Sequence, residues 1–306
     1  MGVNYLSNIL ILGSTGMLGK MVSLVFSEYS DDNLFFTSRS KNKFNNELNG
    51  EKIIFNPNND NFDDLCEKIN PNFVINCIGA IKPTITEKKE SINNAISINS
   101  FFPLKISKKS ADLSFNYIQI GTDCVFSGLE GGYIETSTTN ATDVYGKTKI
   151  VGEISSKNKT LIRSSIVGPE SGSGMSLLNW FLKTEEPEVN GFTDHEWNGV
   201  TTLNFAKIVL GITKNEQTGI KLQHLVPSDI VNKYELLLLF QEFFSKEVKI
   251  NDVVSENKVD RTLDTIDPLA NQELWKMGGY MEIPSIRENI SELAEFKGTK
   301  KILEFK

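Results

Sequence analysis

A short apolar segment that runs directly into evenly spaced glycines is the feature that most constrains the fold of this 306-residue chain. Ile9–Leu12 is apolar at every position, as expected for a strand buried on both faces of a parallel sheet. Glycines follow at positions 13, 16 and 19, and Met17–Glu28 has helical character. A strand, a tight glycine turn and a helix in this order predict the first unit of an α/β sheet wrapped by helices.

The rest of the first half repeats this alternation of short apolar segments and helical segments, which predicts a doubly wound parallel sheet of the Rossmann type. We expect residues 1–168 to form this dinucleotide-binding domain, with a segment near 199–230 returning to it. Residues 169–306 are expected to form mainly a smaller substrate-binding lobe over the carboxyl ends of the strands. The further predicted strands are Leu34–Thr37, Phe73–Cys77, Tyr117–Ile120 and Thr160–Ile162. The further predicted helices are Asn61–Ile69, Ser91–Ser110, Val144–Ser155, Leu177–Leu182, Gly199–Thr213, Tyr234–Phe244 and Ser285–Phe296.

The glycine turn has the composition of a phosphate-binding loop. Gly13 permits a tight turn, Gly16 lets the backbone approach a pyrophosphate, and Gly19 allows the helix to pack closely. The start of the helix offers free N–H groups and a partial positive charge to phosphates. A glycine-rich turn without a ligand stays open as the alternative. The predicted cofactor loop comprises Gly13, Ser14, Thr15, Gly16, Met17, Leu18 and Gly19.

The residues after the second strand indicate which nicotinamide cofactor is used. NAD-binding folds place an acidic residue about 20 positions beyond the glycines, where it binds the ribose 2′-hydroxyl. Here Ser38, Arg39 and Ser40 stand at this place, with no acid among them. A guanidinium pairs well with the oxygens of a 2′-phosphate, so the sequence favours NADPH. The alternative is that Arg39 is a solvated surface residue.

A second motif carries the chemistry of a proton transfer. Tyr145 and Lys149 have the spacing Tyr-x-x-x-Lys at the start of a predicted helix, which places both side chains on one face. A neighbouring ammonium is expected to lower the pKa of the phenol, whose ordinary value is about 10. Thr122 follows a predicted strand, where its hydroxyl can bond to a substrate carbonyl.

These motifs lie in a region that resembles a known family. The stretch 118–128, Ile-Gln-Ile-Gly-Thr-Asp-Cys-Val-Phe-Ser-Gly, resembles the Ser-Thr-Asp-Tyr-Val-Phe-Asp-Gly stretch of the dTDP-4-dehydrorhamnose reductases, which are extended short-chain dehydrogenase/reductases. The likeness continues through residues 132–135, 143–149, 151–153 and 161–165. It is strong over roughly residues 9–170 and weak beyond them.

The resemblance implies the NADPH-dependent reduction of the 4-keto group of a nucleotide-linked 6-deoxy sugar, in the biosynthesis of an L-rhamnose-type deoxysugar. It implies that Thr122, Tyr145 and Lys149 are catalytic and that Asp123 lies near the sugar. It also makes a homodimer an expectation, which nothing in the residues tests. Further candidate cofactor contacts are Asn56, Cys77, Ile78 and Gly79.

Departures from the family pattern leave the substrate open. Asn56 stands where many relatives have Asp, and Cys124 replaces a Tyr. The loop 79–83, Gly-Ala-Ile-Lys-Pro, also differs from the usual one. The nucleotide can therefore be dTDP or UDP, and the sugar can carry a hydroxyl or an acetamido group at C2.

Candidate substrate contacts lie on both halves of the chain. Trp197 is a candidate for stacking on a ring, or it is the buried Trp of a loop between domains. Arg261 is a candidate clamp for the substrate diphosphate, or it forms a surface ion pair. The full set comprises Lys82, Asp123, Cys124, Trp197, Asn198 and Arg261.

Three other functions stay open as alternatives. A sugar-nucleotide 4,6-dehydratase would carry an Asp-Glu pair after the Thr, whereas here Asp123 is followed by Cys124. An epimerase keeps a tightly bound NAD, which Arg39 disfavours. A non-catalytic NADP-binding subunit, as in the regulatory partner of methionine adenosyltransferase, also resembles these reductases, but the intact catalytic set disfavours it.

Composition excludes several other classes. A net charge of −7 argues against nucleic acid, which is bound through clustered Lys and Arg. No apolar run approaches the ~18 residues of a membrane span, and Met1–Leu12 has no signal-peptide pattern. Cys66, Cys77 and Cys124 lack metal-like spacing and cannot all pair, so we expect reduced thiols, no metal site and a cytoplasmic protein.

Overall fold

A seven-stranded parallel sheet forms the centre of the protein, whose computed structural model describes residues 6–44, 47–154, 156–172, 175–216 and 219–304. The first half supplies six of its strands, with helices between them. In chain order these elements are β1 (Asn8–Leu12), α1 (Met17–Tyr29), β2 (Asn33–Ser38), β3 (Glu51–Ile54), α2 (Phe62–Ile69), β4 (Phe73–Asn76), α3 (Lys89–Ile96), α4 (Phe102–Leu113), β5 (Asn116–Ile120), α5 (Val144–Gly152) and β6 (Lys159–Arg163).

The second half adds one strand to the central sheet and builds three small sheets beside it. Its elements are β7 (Ile166–Val167), α6 (Leu177–Lys183), β8 (Glu188–Phe192), β9 (His195–Trp197), β10 (Val200–Thr201), α7 (Thr202–Lys214), β11 (Gln223–His224), β12 (Val231–Asn232), α8 (Lys233–Phe244), β13 (Lys249–Val253), β14 (Val259–Asp260), α9 (Pro268–Met277), α10 (Ile286–Glu295) and α11 (Lys297–Glu304).

The strand order of the central sheet is β11-β6-β5-β4-β1-β2-β3, and all of its pairs are parallel. The order reverses between β1 and β4, because the chain first moves outward to β3 and then returns to the other side of β1. Such a switch point opens a crevice at the carboxyl ends of the strands, where ligands bind in open α/β sheets. The predicted Rossmann-type fold is confirmed.

Two strands of the sheet escaped the sequence analysis. β3 is an edge strand, and its four residues are exposed or half-buried. β11 has only two residues, Gln223 and His224, which extend the sheet beside β6. Both strands lack the apolar run that identified the others, so hydrophobic pattern alone could not find them.

Most predicted helices lie where expected, with small shifts at their ends. The predicted helix 91–110 is α3 and α4 joined by a π-helical segment at Ser97–Phe101. α5 ends at Gly152, and Ser155, its predicted end, lies outside the described residues. Ser173 and Gly174 of the predicted connection 171–174 also lie outside them. α9 and α11 were not predicted.

The returning segment packs on the sheet as a buried helix. α7 contacts α1, and almost every residue of α7 is buried. Lys214 at its end donates a hydrogen bond to the carbonyl of Tyr29 at 2.7 Å. This packing links residues 202–214 to the first half, while the division at residue 168 stays a prediction. Within the described residues, no helix is long and apolar enough to cross a membrane.

Candidate active site

The glycine loop has the backbone geometry that its sequence predicts. Gly13 has φ +76°, a conformation that side chains rarely adopt. A Cβ atom on Gly19 would lie 2.0 Å from the Gly13 carbonyl oxygen, so only glycine allows α1 to start this close to the loop. A Cβ on Gly16 would meet only this carbonyl, at 3.7 Å, within the described residues.

Hydrogen bonds fix this loop to the end of β2. The Gly13 amide donates to the Thr37 hydroxyl at 3.0 Å, and the Ser14 amide and hydroxyl both donate to the Thr37 carbonyl at 2.9 Å. The Thr15 and Ser38 hydroxyls are 3.3 Å apart. Arg39 follows with an exposed side chain. The predicted phosphate loop and the predicted 2′-phosphate residues therefore meet in one place.

A third segment completes this edge of the sheet. The Cys77 amide donates to the Leu12 carbonyl at 3.0 Å, and the Ile78 amide donates to the Asn76 side chain at 3.1 Å. The Ile78 side chain lies 2.7 Å from the place of a Cβ on Gly13. Asn56 lies beyond β3, where its side chain accepts a hydrogen bond from the Asn58 amide.

The residues at this edge fit a dinucleotide. Among the described residues no side chain caps the start of α1, so the amides of its first turn can donate to a phosphate. Three loops with small or polar residues converge there, as the switch point requires. The binding of a nicotinamide dinucleotide by these residues is a prediction that their geometry supports.

Thr122 caps a short turn at the carboxyl end of β5. This turn, Asp123–Val125 together with Thr122, is called the catalytic turn below. Its hydroxyl accepts a hydrogen bond from the Cys124 amide at 3.2 Å and can donate to the Asp123 carboxylate at 3.2 Å. Burial raises the pKa of the Cys124 thiol to about 12, so this side chain is neutral near pH 7. The turn thus presents the Thr122 hydroxyl and the Asp123 carboxylate. The family resemblance implies that both residues lie next to the reacting sugar.

The helix that carries Tyr145 packs tightly on this turn. A Cβ on Gly146 would lie 2.3 Å from the Cys124 carbonyl oxygen, so this glycine is required for the close approach. The Asp143 side chain caps the helix by accepting from the Gly146 amide at 2.9 Å. Tyr145 is hydrogen-bonded to Thr122. The structure therefore brings together the phenol and the hydroxyl that the sequence placed on separate elements.

The sequence predicts a lowered pKa for Tyr145. This prediction is wrong when only the protein's own groups surround the phenol. Burial raises the pKa of Tyr145, the negative charge of Asp123 acts in the same direction, and a hydrogen bond with Thr122 opposes them only in part. The Lys149 ammonium donates to the Ile120 carbonyl at 3.1 Å. Burial lowers the pKa of Lys149. The spacing argument had not included desolvation, which dominates here.

A buried ion pair lies one turn beyond Lys149 and was missed. Glu153 follows Tyr145 and Lys149 at the same helical spacing and raises the pKa of Lys149. Its carboxylate accepts a hydrogen bond from the Arg163 guanidinium at 2.6 Å. Both side chains are buried. The spacing of Glu153 after Lys149 was a signal that the two side chains interact. Its pairing with Arg163 on β6 could not be seen in the sequence.

Asn99 is a second missed residue. It is buried in the π-helical segment, and its side chain exchanges two hydrogen bonds of 2.9 Å with the backbone of Ala80. It also donates to the Thr148 hydroxyl at 3.2 Å. Asn99 thereby connects the loop after β4, next to Gly79, to helix α5.

Two predicted substrate cations lie near the turn, but both have protein partners. Lys82 forms an exposed ion pair of 2.8 Å with Asp143. Arg261 donates to the carbonyls of Phe126 and Ser127 at 3.0 and 3.2 Å. Arg261 thus has no surface ion pair within the described part of the chain, and it holds the backbone just after the Thr122 turn. A phosphate contact by either residue stays a prediction.

Trp197 and Asn198 are both buried. The Trp197 indole donates to the Ser165 hydroxyl at 2.8 Å. The Asn198 side chain donates to the Leu263 carbonyl at 2.6 Å and accepts from its amide at 3.0 Å. These bonds favour a structural role for Asn198, while one face of Trp197 carries the ammonium of Lys233, at 5.2 Å from the ring centre. Lys233 was not predicted.

Known proteins are similar to this chain in sequence. A protein of Xenopus tropicalis, methionine adenosyltransferase 2 subunit beta, is 29% identical over 147 residues, which are 47% of this chain and 41% of that protein. The spore coat polysaccharide biosynthesis protein SpsK of Bacillus subtilis is 25% identical over 197 residues, 63% of this chain and 68% of that protein. The chain thus spans less than half the length of the first relative.

Solved structures show the same fold. A hypothetical dTDP-4-dehydrorhamnose reductase from Sulfolobus tokodaii has a TM-score of 0.71 and 20% identity, and the likeness covers 91% of this chain and 97% of that one. The sequence profile of the RmlD substrate binding domain matches residues 7–295. The predicted family resemblance is confirmed, and the match extends past residue 170, beyond which the sequence analysis found only a weak likeness. The chain belongs to the RmlD substrate binding domain family.

Proposed function

We propose that the protein is an NADPH-dependent reductase of the 4-keto group of a nucleotide-linked 6-deoxy-hexulose, with dTDP or UDP as the nucleotide. The observation that carries this proposal is the hydrogen bond between Tyr145 and Thr122. It joins a proton donor to a carbonyl-binding hydroxyl at the sheet edge that also carries the glycine loop. Membership of the RmlD substrate binding domain family supports the choice of a sugar nucleotide.

The proposed reaction assigns one task to each residue. NADPH supplies the hydride that is added to the ketone carbon. Thr122 orients the carbonyl by donating a hydrogen bond to its oxygen, and Tyr145 delivers the proton that converts the oxygen to a hydroxyl. Burial raises the pKa of Tyr145, which keeps the phenol protonated and ready to donate at neutral pH. Lys149 holds the ribose and compensates the negative charge that the phenol acquires.

An NADPH-oxidation assay tests this function directly. The purified protein is offered dTDP- and UDP-linked 4-keto-6-deoxy sugars, with a hydroxyl or an acetamido group at C2. We expect stoichiometric oxidation of NADPH with one of them and a product with a new hydroxyl at C4. A change of the sugar without net use of NADPH would instead indicate an epimerase or a dehydratase and would refute the proposal.

The choice of NADPH makes a separate prediction about Arg39. Its exposed guanidinium lies beside Ser38, at the edge that holds the glycine loop. Replacing Arg39 with Ala should lower kcat/KM for NADPH by about 10- to 100-fold, because a charge-assisted hydrogen bond contributes about 1.5–3 kcal/mol. The kcat/KM for NADH serves as the internal control and should change little. Equal losses with both cofactors would contradict the assignment.

The match to a methionine adenosyltransferase subunit supports a second candidate, a non-catalytic NADP-binding subunit. The match covers 47% of this chain. The two candidates differ in one result. A non-catalytic subunit would bind NADPH but oxidise it with none of the keto sugars.

A further inference from the structure

Lys233 is the first residue of α8, a helix that packs on β9 and β12. The preceding residue, Asn232, caps the helix by accepting from the Glu235 amide at 2.9 Å, and the Glu235 carboxylate accepts from the Asn232 amide at 2.8 Å. This reciprocal cap fixes the first turn of α8. The backbone from which the Lys233 side chain extends is therefore held in place by this cap.

Among the described residues, the side chain of Lys233 has an aromatic contact but no ion-pair partner. Its ammonium lies 5.2 Å from the centre of the Trp197 ring, which favours a cation over its face. Within the part of the chain that the structure describes, it forms neither a hydrogen bond nor an ion pair. Burial lowers the pKa of Lys233 to about 8. A half-buried ammonium without an acceptor is costly unless a ligand supplies one.

The charges around Lys233 belong to the candidate active site. Asp123 and Cys124 of the catalytic turn and the guanidinium of Arg261 all act on its pKa. Asp123 favours the ammonium, and Arg261 disfavours it. Two cations thus face one carboxylate, which leaves a local excess of positive charge beside the residues that would contact the sugar.

The two cations are not equally available to a ligand. Arg261 already donates to the carbonyls of Phe126 and Ser127. Lys82, which also acts on Cys124, is paired with Asp143. Lys233 is the cation whose donors are uncommitted within the described residues. A diphosphate carries two negative charges and many acceptor oxygens, which complement an ammonium with three donors.

We infer that Lys233 is a substrate-binding residue whose ammonium bonds to the diphosphate of the nucleotide sugar, while Arg261 mainly fixes the turn after Thr122. This inference rests on the proposed function. It assigns to Lys233 the diphosphate contact for which Arg261 was a candidate in the sequence. The diphosphate would lie between α8 and the catalytic turn, with Trp197 as the floor of the subsite.

Binding measurements test the inference without turnover. Calorimetric titration with UDP and with dTDP gives the Kd for wild type and for Lys233→Met, whose side chain keeps the contact with Trp197. We expect Kd to rise at least about tenfold, because a charge-assisted bond is lost. Lys249→Met is the matched control, since Lys249 is an exposed lysine paired with Glu188. It should leave Kd unchanged, and both variants should bind NADPH as wild type does.

The dependence of Kd on pH distinguishes a phosphate contact from a structural role. Because the pKa of Lys233 is about 8, the ammonium is present at pH 7 and mostly lost at pH 9, so affinity should fall about tenfold over this range. Cys124 stays neutral over this range, because burial raises the pKa of its thiol to about 12. The charged groups near Lys233 are Asp123 and Arg261, which act on its pKa, and Glu235 in the first turn of the same helix. Lys233→Arg should bind the nucleotides with little dependence on pH, because its charge persists.

The outcomes separate this inference from the proposed function. If wild type reduces a keto sugar but Lys233→Met binds UDP and dTDP as tightly as wild type, the inference is overturned and the function stands. If binding depends on Lys233 but no keto sugar is reduced, the inference stands and the function falls. Thermal unfolding of Lys233→Met and Lys233→Arg shows whether each variant is folded. Absence of any nucleotide binding by wild type would overturn the inference.

Discussion

Replacing Tyr145 with Phe is expected to lower kcat for keto-sugar reduction by a factor of about 10²–10⁴, the usual contribution of a positioned general acid. The substitution removes the hydroxyl that bonds to Thr122 and leaves the ring in place. The proton must then come from water, which is not held by the catalytic turn. Steady-state kinetics with saturating NADPH and keto sugar measures the loss.

The Tyr145 substitution should leave cofactor binding intact. The glycine loop and the residues after β2 do not depend on this hydroxyl, so the Kd for NADPH should stay within about twofold of wild type. Tyr29→Phe is the matched control, because Tyr29 is 49% exposed at the end of α1, outside the candidate site. It should retain full activity. A Tyr145→Phe protein with near wild-type kcat would remove Tyr145 from the reaction.

The fold was largely predictable because its buried strands are recognisable in the sequence as short, uninterrupted apolar runs. Ile9–Leu12 is fully buried, and an uninterrupted apolar run is what such a strand requires. The loops at the carboxyl ends of β1, β2 and β5 were therefore placed correctly at one edge. The edge strand β3 and the short β11 were missed because a strand that is half-exposed or two residues long carries no such run.

The candidate site was predictable only where function has a local motif. The glycine loop, Thr122 and the Tyr-x-x-x-Lys pair are each recognised within a few residues. Lys233 had no such signal, since its contact with Trp197 joins α8 to β9 and the group that favours its charged form, Asp123, lies at the end of β5. The pKa of Tyr145 was misjudged for the same reason. Desolvation depends on everything that packs around the phenol, and spacing along one helix reports only one neighbour.

Replacing Glu153 with Ala is expected to destabilise the protein by about 3–5 kcal/mol, because removal of one partner of a buried ion pair leaves the other charge uncompensated. Arg163 is 3% exposed, and its guanidinium donates to Glu153 at 2.6 Å. Its other bond, of 2.8 Å, is to Nε2 of His224. The free energy of unfolding in urea measures the loss.

His224 cannot replace the missing carboxylate. Its Nδ1 faces the carbonyls of Tyr133 and Asp264 at 3.1 and 2.8 Å, so Nδ1 carries the proton and Nε2 accepts from Arg163. Burial and the Arg163 charge lower the pKa of His224, which keeps the imidazole neutral. In Glu153→Ala the guanidinium would therefore be buried against a neutral ring, without the carboxylate that now accepts its 2.6 Å hydrogen bond.

A surface pair and a double variant distinguish buried charge from lost packing. Glu242 forms an exposed, two-bond ion pair with Arg287, so Glu242→Ala should cost much less than Glu153→Ala. Combining Glu153→Leu with Arg163→Met removes both buried charges and should recover most of the stability lost in Glu153→Ala. If Glu153→Ala costs no more than Glu242→Ala, the buried pair does not stabilise the fold. If the double variant is as unstable as Glu153→Ala, the loss does not come from the unpaired guanidinium of Arg163, and the explanation by a buried charge at Arg163 is wrong.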